Sequence, residues 1–251
     1  VGRLLAEQCA RHDKRFAGEL GGHAPVIVCG DADVDAVLKL AVPAKFRNAG
    51  QVCASPIRFI VARPLYARFV EGLAHAARAL RLGAGSDPTT QMGPLAHARR
   101  LDEMQQCVDD ARDQGATIVC GGRRAPRDGW FFEPTVITDA PDTSRVMREE
   151  PFGPIALVQP FDTLDDAIGL ANRRGHPTRY ALAAYAFTRD LVTAHRLGAE
   201  LDAGMVGLNH FGVSQPELPF GGRGASGDGV EMGAEGLLAY TEMKTVTVGA
   251  L

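Results

Sequence analysis

Three observations on the 251-residue chain predict an α/β fold with a largely parallel sheet and helices on both faces. Short apolar runs rich in Val and Ile recur along it, stretches with helical spacing separate them, and Gly, Pro or Asp punctuates the joins. Strands that alternate with helices are joined by crossovers, which make parallel neighbours. At roughly 150 residues per domain, the length suits one substantial core with attachments.

Taken in order, Val1-Gly2-Arg3-Leu4-Leu5-Ala6-Glu7-Gln8 begins like the middle of a helix, with no initiator Met and no signal pattern, so a truncated start is expected. Residues 25–30 read as a short buried strand. Asp31 or Asp33 suits the N-cap of a following helix with Val34, Val37, Leu38 and Ala41 on one face. Pro43 should kink or interrupt it before the turn at 48–53. A strand is expected at 58–62, then a helix that has Pro64 in its first turn and the stripe Leu65, Phe69, Leu73, Leu80. A helix over 95–114, stopped by Gly115, leads to a strand at 117–120. Further strands fall near 133–137, 155–160, 181–188 and 205–209, with helices over 164–173 and 191–201.

The end of the chain has a different rhythm. Residues 241–248 alternate polar and apolar, as a half-buried strand does. No later segment of the chain can pair with it, so an earlier hairpin or a neighbouring subunit is expected to cover its edge. The Gly-rich stretch 219–227 follows a loop and opens no clear helix. It reads as a structural loop and not as a dinucleotide fingerprint.

Composition narrows the partners. With 27 basic against 30 acidic side chains and no polybasic cluster, nothing marks a nucleic-acid or membrane surface. No apolar run approaches the roughly 20 residues that a membrane-spanning helix needs. The five scattered cysteines form no CxxC pair, so free thiols in a reducing cytoplasm, and no metal site, are expected.

A lone cysteine is more often a buried filler than a nucleophile, and Cys29, Cys107 and Cys120, each in a predicted strand or helix, fit that reading. Cys53 follows Gly50 and Gln51 in a turn, whose amides could lower its pKa and later hold an oxyanion. Glu19 lies 53 − 19 = 34 positions upstream, beside the open space of Gly21-Gly22, and is either a solvated strand-end residue or a base. Glu150 and Phe152 sit in Glu149-Glu150-Pro151-Phe152-Gly153-Pro154, a rigid turn that either presents them to a ligand or holds only geometry.

Together these motifs resemble the aldehyde dehydrogenase superfamily, over about its C-terminal half. Glu19-Leu20-Gly21-Gly22 is similar to the catalytic-glutamate motif, and Gly50-Gln51-Val52-Cys53 with Arg58 to the catalytic-cysteine motif, at the family's interval. Glu149 to Pro154 is similar to E-E-x-F-G-P, and Pro219-Phe220-Gly221-Gly222 with Ser226-Gly227 to P-F-G-G…S-G. The resemblance implies residues 1–21 as the tail of a nucleotide-binding domain, 22–221 as a catalytic α/β domain, and 222–251 as a return segment with an oligomerisation strand.

It further implies NAD or NADP as cofactor, Cys53 as nucleophile through a thiohemiacetal and a thioester, and Glu19 as the base that hydrolyses the thioester. Glu150, Phe152 and Gly21 would fall on the cofactor side, and Arg58, Phe211 and Ser214 on the substrate side. Most of the cofactor site, and a second oxyanion donor, would lie outside this chain, leaving it poorly active alone; a homodimer or homotetramer is implied as well. The run from Asn209 to Glu217 resembles the substrate-side loop of succinate-semialdehyde dehydrogenases and close relatives, with a generic aliphatic aldehyde as the alternative. His23 and Gly224 stand where the family commonly has Lys, and the connection 173–179 looks longer than usual. A CoA-acylating enzyme and a non-catalytic module are the rival readings; a carboxylate at Glu19 favours water over coenzyme A.

Overall fold

The computed structural model describes residues 1–172 and 179–250. In chain order its regular elements are α1 (Gly2–Arg11), β1 (Ala24–Val28), α2 (Val34–Phe46), β2 (Pro56–Ala62), α3 (Arg63–Arg78), α4 (Ala98–Asp113), β3 (Thr117–Cys120), β4 (Thr135–Thr138), α5 (Arg145–Arg148), β5 (Ile155–Phe161), α6 (Leu164–Asn172), β6 (Tyr180–Ala181), β7 (Ala183–Phe187), α7 (Leu191–Glu200), β8 (Met205–Leu208) and β9 (Arg223–Gly224). Seven strands form one sheet in the order β3-β4-β5-β2-β1-β7-β8. All neighbours are parallel except β3 and β4, which are joined without a helix and run antiparallel.

Both sheet faces are buried because alternate residues of the central strands serve different cores. Val26, Val28, Phe59 and Val61 meet α2, α3 and α4 through Val37, Phe69, Leu73, Met104 and Val108. Ile27, Cys29, Ile60 and Ala62 meet α6 and α7 through Ile168 and Leu197. That is why β1 and β2 read as continuous apolar runs.

Local chemistry sets the boundaries. Asp33 caps α2, its Oδ1 accepting from Asp35 N at 3.0 Å and Ala36 N at 3.2 Å. Pro43 does not interrupt α2, which runs on to Phe46; in the last turn a missing N–H removes only one rung. The helix expected from 95 begins at Ala98, because His97 accepts from Arg100 N through Nδ1. The strand expected over 181–188 divides at Leu182, with β6 pairing outside the main sheet with β9. The helix expected over 164–173 is found to Asn172; Arg173 and the rest of the connection through Thr178 lie outside the described residues. Residues 241–250 form no ladder among the described residues and are exposed.

Candidate active site

The loop that carries Cys53 leaves α2 through a tight turn, Arg47–Gly50, in which Asn48 and Ala49 both have φ 53° and Gly50 has φ 73°. Left-handed backbone at Ala costs about 1–2 kcal/mol and must be held by its surroundings. Asn48 and Gln51 hold it reciprocally: Asn48 Nδ2 donates to Gln51 O, and Gln51 Nε2 to Asn48 O, both at 2.9 Å. Gln51 Oε1 also accepts from Ala96 N at 2.9 Å. Beyond the thiol, Tyr185 Oη donates to Ala54 O at 2.7 Å, and the buried Lys45 Nζ donates to Ser55 Oγ at 3.3 Å.

Two glycines bring the other motifs onto this loop. A Cβ at Gly22 would stand 2.4 Å from Cys53 O, and one at Gly21 would stand 2.3 Å from Glu150 Oε2. Gly22 N donates to Glu150 Oε1 at 2.9 Å, so Glu150 is seated on the chain just after Glu19. Behind Glu19, Gly18 N donates to Asp228 O at 2.7 Å and Leu20 N to Ser226 O at 2.9 Å, while Ser226 Oγ accepts from Ala181 N at 2.9 Å. The Gly-rich loop therefore backs the glutamate segment, and part of it is the strand β9, which the reading as a plain loop did not include.

Burial, then the adjacent Glu19 carboxylate, pushes the Cys53 thiol up to about 12. This corrects the expectation that turn amides lower it: the Ala54 amide acts in that direction but is outweighed. Burial likewise raises Glu150 to about 7 against the pull of the Gly22 amide, Arg100 and Lys45. Glu19 Oε1 is buried with no hydrogen-bond partner among the described residues, so it can accept a proton or a water.

A cavity of about 430 Å³ opens over Cys53, lined among others by Arg47, Tyr185, Phe211, Ser214 and Phe220. Tyr185 and Phe211 meet as tilted rings with centroids 4.8 Å apart and planes at 58°, and Phe187 backs Phe211 at 5.2 Å. Phe211 and Ser214 both line the cavity over Cys53. Arg58 does not: it is buried in β2, and its guanidinium donates to His23 O, Leu170 O and Ala171 O, capping the end of α6. Phe152 stays on the Glu150 side, with the Arg100 guanidinium 5.7 Å from its ring centroid. His23 is buried, with Nε2 2.9 Å from Val146 O.

Sequence reasoning missed Arg47, Tyr185 and Lys45. Arg47 is exposed and lines the cavity, 53 − 47 = 6 positions before Cys53, a signal that attention to Cys53 alone passes over. Tyr185 looked like one more strand residue. Among the described residues no cluster of His, Cys, Asp or Glu could hold a metal, and no helix is long and apolar enough to cross a membrane.

The family model described as the aldehyde dehydrogenase family matches residues 1–246. The 4-(hydroxymethyl)benzenesulfonate dehydrogenase of Comamonas testosteroni is 48% identical over 244 residues, 97% of this chain and 50% of its own length. The NADP(+) succinate-semialdehyde dehydrogenase of Escherichia coli is 41% identical over 249 residues, 99% of this chain and 51% of its own. An aldehyde dehydrogenase from Bacillus cereus, solved with NAD+, superposes with a TM-score of 0.93 at 36% identity, over 98% of this chain and 49% of that one. The chain spans about half the length of these relatives.

Proposed function

We propose that this chain, which belongs to the aldehyde dehydrogenase family, carries the nucleophile and the base for NAD(P)-dependent oxidation of an anionic aldehyde to its carboxylic acid. The observation that carries the reading is the convergence of Cys53, the unpartnered Glu19 oxygen and the cavity over the thiol.

Cys53 sulfur attacks the aldehyde carbon, and its proton leaves toward Glu19 as the C–S bond forms. The Cys53 amide faces the oxyanion of the thiohemiacetal. NAD or NADP, when bound, supplies the hydride acceptor. Glu150 suits the cofactor's ribose hydroxyls, since its carboxylate is fixed by Gly22 N and closely seated on Gly21, and Phe152 borders that side. Glu19 releases that first proton to solvent and then takes one from water as the water attacks the thioester; collapse of the adduct breaks the C–S bond, and the departing thiolate recovers this second proton as the acid leaves.

The anionic substrate follows from Arg47. Its exposed guanidinium makes no ion pair among the described residues and stands at the mouth of an aromatic cavity, which fits a sulfonate or carboxylate at the far end of the aldehyde. The two relatives' names point the same way, a benzenesulfonate and succinate semialdehyde. Ser214, with Oγ 4.0 Å from Met232 Sδ, lines the same cavity and offers a hydroxyl.

The test measures reduced cofactor and intact mass during incubation with succinate semialdehyde or 4-sulfobenzaldehyde. Cys53→Ser should abolish turnover, and Glu19→Gln should accumulate an acyl adduct on Cys53. Arg47→Leu should raise KM for the anionic aldehydes roughly 10–100-fold while sparing butanal. Undiminished oxidation by Cys53→Ser would refute the reading.

A further inference from the structure

Lys45 is a fully buried lysine that the reaction just described does not use. It lies in the last turn of α2, eight positions before the nucleophile (53 − 45 = 8), and points beneath the loop instead of into solvent. Its hydrogen-bond partner is Ser55 Oγ at 3.3 Å, and Ser55 is itself 2% exposed. Among the described residues it has no ion pair at contact distance, and the carboxylate whose field reaches it is that of Glu150. A buried ammonium without a carboxylate in contact is costly, so a sequence that places one beneath this loop needs a reason for it.

We propose that Lys45 is a positioning residue of this site. From beneath the loop its ammonium grips Ser55 and supplies the buried counter-charge of Glu150, so that the Cys53 loop and the carboxylate seated on Gly22 are held as one unit. The charged groups around this unit come from each element packed there: Lys45 from α2, Cys53 from the loop, Glu19 from the segment before β1, Glu150 from the turn after α5, and Arg100 from α4. Burial drives Lys45 down to about 7, with Glu150 pulling it back up, and drives Glu150 up, with Lys45 among the groups pulling it down. Each favours the charged form of the other. The proposal rests on the functional reading above for its catalytic consequence, but its physical content is measurable without turnover.

The four lysines (Lys14, Lys39, Lys45, Lys244) make that measurement direct. With lysine labelled by 13C at Cε, NMR of this chain gives one signal each, and Lys45 is assigned by its loss in Lys45→Met. The Lys45 signal should titrate in the neutral range. Its midpoint should move to lower pH in Glu150→Gln, which removes the negative charge, and should also shift in Ser55→Ala, but not in the control Glu7→Gln. A midpoint near that of an ordinary lysine, or one indifferent to Glu150→Gln, overturns the proposal. Should Lys45→Met not fold, assignment proceeds by substituting the three exposed lysines, and the Glu150 and Ser55 variants still decide. In the turnover assay Lys45→Met should lower kcat roughly 10–100-fold with aldehyde KM unchanged, and Lys45→Arg should retain more activity. Turnover surviving in Cys53→Ser would sink the functional reading while leaving the lysine titration to judge Lys45.

Discussion

With the Cys53 thiol at about 12, almost no thiolate exists at rest, and the reaction proposed above requires the proton to leave as the aldehyde is attacked. The carboxylate that raises the thiol's pKa is therefore also placed to take its proton. Glu19→Gln removes that charge, so the sulfur should ionise at lower pH and react with iodoacetamide at least about threefold faster at pH 8. An unchanged or slower rate would show that Glu19 does not face the sulfur. Lys45 and Glu150 leave a second mark, on stability. Glu150 is raised from 4.5 to about 7, so the folded chain holds more protons than the unfolded one across that range, and stability falls as pH rises through it. Lys45 is lowered from 10.5 to about 7, so the folded chain holds fewer, and stability rises from about 7 toward 10.5. The pair predicts a dip near pH 7 in denaturant midpoint against pH. Glu150→Gln should flatten the acid arm and Lys45→Met the alkaline arm.

At the scale of elements, the site is made by backbone contact between segments distant in sequence. Gly22→Ala would push a methyl against the Cys53 carbonyl, and neither backbone can yield easily. It should cost roughly 1–3 kcal/mol and displace the thiol, read as a lower urea midpoint together with changed Cys53 alkylation. Ser226→Ala should cost a further about 1–3 kcal/mol by leaving the buried Ala181 N–H unpartnered, and should loosen the Glu19 segment that the same loop backs. Such contacts explain what could be read from sequence and what could not. The strands β1, β2 and β5 and the stripes of α3 and α4 were legible because burial on one or two faces imposes a period. Cys53, Glu19 and Glu150 were legible because their motifs are local. Tyr185, Lys45 and Ser226 were not: their partners lie 131, 10 and 45 positions away, and each also reads as an ordinary strand, helix or loop residue. Arg58 misled for the converse reason, since its place near Cys53 in sequence put it on a strand whose side chains face a core.

On the scale of the whole molecule, the sheet and its two helical layers are self-contained, but the end of the chain is not. Leu237 and Leu238 are 65% and 68% exposed, and Met243, Val246 and Val248 follow on a run with no ladder. A period-two apolar segment that forms no ladder among the described residues has backbone donors and acceptors to offer, and an exposed apolar row beside them favours a strand from another subunit. We propose that residues 241–250 pair across a subunit boundary. The weight-average mass by light scattering should then exceed 26.7 kDa at micromolar concentration and fall on deletion of residues 241–251. Met243→Glu with Val246→Glu should act in the same direction without shortening the chain. The thermal midpoint should become less dependent on protein concentration in both variants, because association no longer contributes to the folded state. A wild-type mass equal to that of one chain, or one insensitive to both changes, would leave the terminal run without an intersubunit role.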